Sequence, residues 1–294
     1  MKRRIFVKKS SMTVMSISAF GAINWNGKNY VGSTPTTTDI LGPFYRPGSP
    51  MRSNIIHPGS TGTPMGLKGT IYGDDGTTPL SDALVEIWQC DEKEHYDNSS
   101  DDYAFRGAVQ TSANGKYEFK TIVPVPYQAN PETNSWRPAH IHMRVSVPGQ
   151  QDLITQIYFK GDKYLEQDSS SSAPDAVNRI LNISKNRSGE SEVVFDVVMS
   201  KQFPLEQAVY DRITGLYQTE SGNNVEFVQR DDMLFVKRNG QYHQAITYKG
   251  NNTFEGARGF PKVIFELLPN GIVKVNYTYP GGTYTGEKFL KYKE

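Results

Sequence analysis

The chain has 294 residues and a formal net charge of +1, from 32 Lys and Arg against 31 Asp and Glu. A charge this balanced favours neither a nucleic acid nor a charged membrane as a partner. Cys90 is the single cysteine of the sequence, so an internal disulfide is excluded and stability has to come from packing. The length exceeds the usual size of one domain and predicts two cores.

Residues 1–27 are typical of a targeting segment rather than of a folded domain. The stretch Lys2-Arg3-Arg4-Ile5-Phe6-Val7-Lys8 is similar to the twin-arginine export signal, in which an arginine pair precedes Phe and Lys. The apolar run at 12–23 is too short to span a bilayer, which needs about 20 residues. We therefore expect a periplasmic or secreted protein with no membrane span, the alternative being a disordered basic tail.

Residues 28–65 are rich in Gly, Ser, Thr and Pro, which indicates a linker and an extended N-terminal arm. From 66 to 204, short apolar runs alternate with turn signals, and this spacing predicts an antiparallel β-sandwich. We predict strands at 66–72, 83–89, 117–122, 140–147, 153–159 and 193–199. One helix is predicted in this region, at about 175–183, with Pro174 at its start.

Residues 210–294 form a second, smaller all-β region. We predict its strands at 215–218, 225–229, 233–237, 244–249, 263–268 and 272–279. The opening Ile213-Thr214-Gly215-Leu216-Tyr217 and the closing Gly286-Glu287-Lys288-Phe289 resemble small lipocalin-like β domains. Its aromatic residues are interpreted as core filling rather than as a ligand surface.

The motif with the clearest chemistry is His140-Ile141-His142 on a predicted strand. Side chains alternate along a strand, so His140, His142 and Arg144 share one face, and the opposite face is apolar and belongs in a core. The two imidazoles start roughly 7 Å apart at the backbone, close enough to bind one metal ion. A cupin site would add a carboxylate shortly afterwards, and none follows. A three-histidine zinc site would need one of the remaining histidines, of which His95 stays open.

Four blocks of sequence around this motif decide between these readings: LVEIWQCD followed shortly by a tyrosine, NGKYEFKTIVPVPY, WRPAHIH and LITQIYFKGD. In this order they resemble the intradiol ring-cleavage dioxygenases, and the protocatechuate 3,4-dioxygenase branch most closely. The resemblance is close from 84 to 162 and looser from 42 to 200. It implies that the arm segment Gly42-Pro43-Phe44-Tyr45 comes near the mouth of the active site, the alternative being an apolar arm packed on the sandwich.

The resemblance implies a non-haem Fe(III) centre with four ligands, Tyr96, Tyr127, His140 and His142. The chemistry of the residues agrees, because Fe(III) is a hard cation that favours anionic oxygen, and a trivalent ion can lower the phenol pKa from about 10. One position departs from the family, which often has Gly two residues before the first tyrosine where this chain has Glu94. Tyr103 is therefore kept as the alternative first ligand.

The resemblance also implies the reaction. A catechol would be cleaved by O2 between its two hydroxyl-bearing carbons to a muconate-type diacid, with both oxygen atoms entering the product. Tyr127 would leave the metal and accept a substrate proton, Arg137 would stabilise developing negative charge, and Gln156 would lie near the iron. The alternatives are an ion pair for Arg137 and a plain sheet role for Gln156, while Trp88 is predicted as core.

A second class of function stays open, an exported binding module on a dioxygenase-like scaffold, with the C-terminal β domain holding a ligand or partner. The intact ligand set favours the enzyme. All proposed ligands precede Val145, so a chain that ends near Gln207 is expected to keep iron binding and catechol cleavage. The sequence does not decide whether the protein forms a homo-oligomer.

Overall fold

The computed structural model describes residues 23–25, 30–32, 35–220, 222–269 and 271–289. The targeting segment predicted at 1–27 lies almost wholly outside the described residues. Within them, no helix has both the length and the apolar character needed to cross a membrane.

The described chain is mostly β-strand. Its first sixteen strands are β1 (Ile23–Trp25), β2 (Tyr30–Gly32), β3 (Pro64–Tyr72), β4 (Leu84–Trp88), β5 (Arg106–Gln110), β6 (Lys116–Ile122), β7 (Tyr127–Asn130), β8 (Ser135–Arg137), β9 (His140–Ser146), β10 (Gln150–Gln151), β11 (Leu153–Phe159), β12 (Ile180–Leu181), β13 (Ser184–Lys185), β14 (Ser191–Val194), β15 (Val197–Val198) and β16 (Ser200–Lys201). The other eight are β17 (Gly215–Thr219), β18 (Asn224–Arg230), β19 (Met233–Arg238), β20 (Gln241–Gly250), β21 (Thr253–Glu255), β22 (Lys262–Leu267), β23 (Val273–Tyr279) and β24 (Gly282–Lys288). One α-helix, α1 (Gln207–Ile213), and two 3₁₀-helices, Pro174–Arg179 and Ala257–Gly259, complete the elements.

Two five-stranded sheets build the region before residue 202. Sheet A has the order β12-β11-β9-β4-β5, and sheet B has the order β13-β14-β3-β15 with β6 also paired to β3. One apolar core contains side chains of both sheets, including Val85, Ile141 and Met143 from sheet A and Leu67 and Phe119 from sheet B. Full burial of such a side chain contributes about 1.5–3 kcal/mol, so this core accounts for much of the folding free energy.

Strand β9 lies between β4 and β11, and its side chains alternate as the sequence predicts. Ile141, Met143 and Val145 are fully buried in the core that the two sheets share. The histidines and Arg144 point to the other face of sheet A, where they are buried as well. Because these side chains are buried, another part of the chain must cover this face, and their polar groups need partners there.

The C-terminal region is a closed barrel of eight antiparallel strands, β17 to β24, with β24 paired back to β17. Much of its interior is filled by apolar side chains such as Tyr217, Phe227, Phe254 and Phe265. Helix α1 lies at one end, where the Tyr210 hydroxyl donates to the carbonyl of Asp232 in the turn between β18 and β19. The barrel therefore has a covered end and an opposite end at the turn between β19 and β20.

The outer face of β19 packs against the uncovered face of sheet A. Met233 and Phe235 form a small apolar cluster with Leu41, Tyr45, Trp88 and Ile154. The ring of Tyr45 is stacked on Phe235 at 5.4 Å between centroids. Asp231 extends this contact by pairing with Arg144, which also pairs with Glu86 at 3.0 Å and Asp152 at 2.8 Å. β19 is thus buried on both faces, which explains its unbroken apolar run.

Two helical segments differ from the sequence prediction. The helix expected at 175–183 is a 3₁₀-helix of six residues that ends at Arg179, because residues 180 and 181 pair with β11 as β12. Helix α1 was not predicted, since it has only seven residues and no side-chain cap. The strand expected at 193–199 is interrupted, with β14 and β15 both paired to β3.

Candidate metal centre

The two histidines of β9 converge on one point. Their Nε2 atoms lie 3.1 Å apart, and both side chains are 1% exposed. His140 Nδ1 lies 2.7 Å from the carbonyl oxygen of Pro138, and because a carbonyl can only accept, Nδ1 carries the proton. His140 Nε2 is therefore left with a lone pair that faces His142.

Two phenols complete the group. The hydroxyl oxygen of Tyr96 lies 3.2 Å from His140 Nε2. The ring of Tyr127 lies 5.6 Å from those of Tyr96 and His140, between centroids. Tyr127 is held on the hairpin β7–β8, whereas Tyr96 lies in the loop after β4. All four sequence-predicted ligands are thus brought together from three separate parts of the chain.

The N-terminal arm covers this group. Phe44 stacks on Tyr96 at 4.3 Å between centroids and meets the edge of Tyr127 at 6.0 Å. Gly42 has a φ of +75°, and a Cβ atom at this position would lie 3.1 Å from His142 Cε1. The segment that the sequence assigns to the mouth of the site therefore contacts three of its four members, Tyr96, Tyr127 and His142.

Trp88 supports the group from the neighbouring strand. It is the cross-strand partner of His142, and the two rings are stacked at 4.8 Å with an interplanar angle of 5°. On its other side Trp88 contacts Tyr45 at 5.1 Å, which in turn stacks on Phe235 of the barrel. Trp88 is 1% exposed, so the prediction that it is a core residue is confirmed, but the sequence analysis missed its contact with the histidine. Register between β4 and β9 is the signal that could have revealed it.

Arg137 lies beside the phenols because it is the cross-strand partner of Tyr127 in the β7–β8 hairpin. Its Nη2 donates to Gln156 Oε1 at 2.7 Å and to the Tyr158 hydroxyl at 3.3 Å. Its Nε forms an ion pair with Asp168 at 2.6 Å. Gln156 is the cross-strand partner of His142 and also donates from Nε2 to the Ile40 carbonyl at 2.6 Å. Arg137 therefore makes an ion pair, which was the alternative role given to it in the sequence analysis, and it also faces the site.

Tyr158 and Asp168 are site neighbours that sequence reasoning missed. The Tyr158 hydroxyl donates to Asp39 at 2.9 Å, and Asp39 in turn pairs with the buried Arg179. Tyr158 is the cross-strand partner of His140, which strand register would indicate. Asp168 comes from a loop distant in sequence, and no local pattern marks it.

The remaining candidates lie elsewhere. Tyr103 donates to the Pro47 carbonyl at 3.3 Å, and Arg46 lies 3.7 Å over its ring, so Tyr96 rather than Tyr103 joins the histidines. His95 is exposed, and His57 lies 3.9 Å from Asp102. Glu94 has a φ of +70°, which accounts for the glycine that the family often has there, because glycine adopts this conformation without strain.

The pKa shifts of the four side chains favour neutral groups, which suits the binding of a cation. Burial lowers the pKa of both His140 and His142 well below the usual value, so both imidazoles are neutral ligands. Burial also raises the pKa of Tyr96 and Tyr127, which keeps the phenols protonated until a positive charge is close. The described residues contain no group of three or more His, Cys, Asp or Glu side chains placed to hold a metal. A centre here would therefore be made of imidazole and phenol together, a donor set that suits a hard trivalent ion.

A mostly β fold with such a donor group defines a candidate metalloprotein, and comparison with known proteins defines the family. The family model described as Dioxygenase (Dioxygenase_C) matches residues 40–201, which hold every member of the group. The chain belongs to the intradiol ring-cleavage dioxygenase family. The barrel lies outside the matched region.

Two curated relatives illustrate the similarity. Chlorocatechol 1,2-dioxygenase of Rhodococcus opacus is 34% identical over 180 residues, which cover 54% of this chain and 65% of the relative. Catechol 1,2-dioxygenase 2 of Acinetobacter lwoffii is 36% identical over 166 residues, which cover 50% and 58% respectively. The chain thus spans less than two thirds of the length of these relatives.

Solved structures agree on the fold of the matched region. The 3-chlorocatechol 1,2-dioxygenase of Rhodococcus opacus 1CP superimposes with a TM-score of 0.50 at 26% identity, covering 57% of this chain and 73% of that one. The catechol 1,2-dioxygenase of Acinetobacter sp. ADP1 gives 0.51 at 27% identity, covering 58% and 63%. The narrower resemblance to the protocatechuate branch stays a prediction.

Proposed function

We propose that this protein is a non-haem iron(III) intradiol dioxygenase that cleaves a catechol between its hydroxyl-bearing carbons with O2, giving a muconate-type diacid. The observation that carries the proposal is the convergence of Tyr96, Tyr127, His140 and His142 in a chain of this family. A catechol-type substrate is supported by the names of the relatives. The two sheets would then be the family's β-sandwich, and the barrel a lipocalin-like addition to it.

The donor group fits ferric iron. Two imidazole nitrogens face each other at 3.1 Å, and the tautomer of His140 is fixed by Pro138 so that Nε2 can bind a metal. Iron held by these residues would supply Lewis acidity and a template for a catecholate. Two phenolates would offset most of its charge in a buried place, where an uncompensated charge is costly.

Tyr127 and Arg137 are the residues that would act on the substrate. Burial raises the pKa of the Tyr127 phenol, so its oxygen is well suited to accept and hold a proton from a catechol hydroxyl. Arg137 lies beside it and would stabilise negative charge that develops on the ring and its oxygens.

Gln156 is assigned to positioning rather than to chemistry. It accepts a hydrogen bond from Arg137 at 2.7 Å and donates to the Ile40 carbonyl, so it links the guanidinium to the arm that covers the site. Asp168 on Nε holds the same guanidinium from the other side. Because Gln156 and Asp168 hold the guanidinium from two sides, the Arg137 side chain has little freedom left. Little reorganisation is therefore needed when negative charge develops on the substrate.

The reaction is tested with labelled oxygen. Iron-replete protein is incubated with a panel of catechols under ¹⁸O₂, and we expect both labelled atoms in a muconate-type diacid. Semialdehyde products of extradiol cleavage, or no O2 uptake with any catechol, would contradict the proposal. Arg137→Ala should keep the colour of the metal centre yet lose about 10²–10³ in rate, as the loss of one charge-stabilising group does elsewhere.

We further propose export by the twin-arginine route, on the basis of Arg3, Arg4, Phe6 and Lys8. This route carries folded proteins, which suits an enzyme that receives its iron before export. Changing both arginines to lysine should leave the protein in the cytoplasm, measured by cell fractionation. Unchanged export of that double variant would count against the signal.

A further inference from the structure

The barrel has a cavity of about 360 Å³ at the end opposite α1. It is lined by the tip of β17, the first residues of β18, the end of β19 and the hairpin β23–β24. Val225, Phe227 and Val275 form its apolar floor, and the side chains of Tyr277, Tyr279 and Tyr284 form its walls. Eight-stranded barrels are wide enough to hold one small ligand, and barrel mouths are frequent ligand sites.

The lining of this cavity carries a positive charge. Among the described lining residues, Arg238 is the one charged side chain, and there is no carboxylate. Of the ion pairs found in the described part of the chain, none involves Arg238, whereas its neighbour Lys237 pairs with Glu226 on the outside of the barrel at 2.9 Å. A partly buried guanidinium without an acid beside it favours an anion from solution.

The aromatic walls are held in place around the guanidinium. The Arg238 guanidinium carbon lies 5.6 Å from the ring centroid of Tyr277 and 5.7 Å from that of Tyr279. The two hydroxyls lie 2.9 Å apart, and Gln244 bonds to both of them. Because the hydroxyls are satisfied by one another and by Gln244, the ring faces and edges are what these residues offer to a ligand.

We propose that the barrel mouth is a second binding site, separate from the metal centre, that takes a small aromatic carboxylate. The carboxylate would pair with Arg238 at the rim, and the ring would lie among Tyr277, Tyr279 and Tyr284 above the floor at Phe227. A cavity near the lower end of the usual 300–1,000 Å³ range favours a ligand of one or two rings over a long lipid. The amides of Asn224 and Asn239 at the rim add donors for further polar substituents.

Titration calorimetry of the full-length, iron-replete protein with benzoate tests this site. We expect Arg238→Gln to weaken binding at the barrel about tenfold or more, because the charge-assisted hydrogen bond to the carboxylate is lost. Lys237→Gln is the matched control, since it removes one positive charge from the same strand on the opposite face, and its titration should equal that of the wild type. Tyr284→Ala, at an exposed position that the fold tolerates, should weaken benzoate without loss of folding.

Comparison ligands separate the two parts of the proposal. Phenol should bind more weakly than benzoate because it lacks the anion, and cyclohexanecarboxylate because it lacks the ring. Equal binding of either would overturn that part. Benzoate bound at the metal centre would titrate alike in wild type and Arg238→Gln, and such identity, or no benzoate binding at all, would overturn the whole. Catechol cleavage by Arg238→Gln should match that of the wild type, which keeps this test independent of the proposed reaction.

Discussion

Gly42 shows how a single backbone position limits the candidate metal centre. Its φ of +75° is a left-handed conformation, which costs other residues about 1–2 kcal/mol, and its missing side chain leaves room for His142. We predict that Gly42→Ala displaces the imidazole and lowers iron content and catechol cleavage. Gly59→Ala is the matched control, because Gly59 has a φ of +86° but no atom within 4 Å of the added Cβ. Equal iron content in the two variants would show that the contact with His142 has no effect.

The sequence could predict which four side chains converge at the candidate site, but not all of their neighbours. The alternation His140-Ile141-His142 on a strand and the tyrosines of the family blocks are local signals. Tyr158 and Trp88 are cross-strand partners of the histidines. Their place beside the site therefore depends on the register between strands, which is not evident from the sequence. Asp168 and Gly42 are far in sequence from the residues that they contact at the site, so only the folded chain shows these contacts.

Strand β19 connects the barrel to the candidate metal centre. Phe235 on its outer face stacks on Tyr45, Tyr45 contacts Trp88, and Trp88 stacks on His142. We predict that Phe235→Leu, which loosens this chain of rings, changes both stability and the rate of catechol cleavage. The loss of stability should be about 1–3 kcal/mol, typical of a cavity in a core.

Phe265→Leu is the control for that variant, because Phe265 is equally buried but lies inside the barrel among residues that do not reach sheet A. It should lower the melting temperature to a similar extent and leave the rate of the remaining folded enzyme unchanged. Equal rates for the two variants would show that the barrel does not influence the site. This comparison is sharper than a chain that ends near Gln207, because removal of the barrel would expose Tyr45 and Trp88 together.

For the whole molecule, the sequence predicts the all-β character and most of the long strands, since apolar alternation and turn residues are local. The sequence analysis misses β5, β7 and β8, which are short strands. It also extends the helix at 175–183 too far, because the residues after Arg179 pair with β11. The closure of the barrel through β17 and β24 and its packing on sheet A join residues that are distant in sequence. Such long-range contacts leave no periodic signal in either partner.

The visible absorption of iron-replete protein tests for the proposed ferric centre held by Tyr96, Tyr127, His140 and His142. Phenolate-to-iron charge transfer absorbs visible light, whereas zinc sites are colourless, so we predict a coloured protein with stoichiometric iron. Tyr96→Phe and Tyr127→Phe should each alter the band. Tyr103→Phe should leave it unchanged, because the Tyr103 hydroxyl bonds to Pro47 away from the histidines. A colourless protein with stoichiometric zinc, or a band that responds to Tyr103→Phe and not to Tyr96→Phe, would contradict this set of ligands.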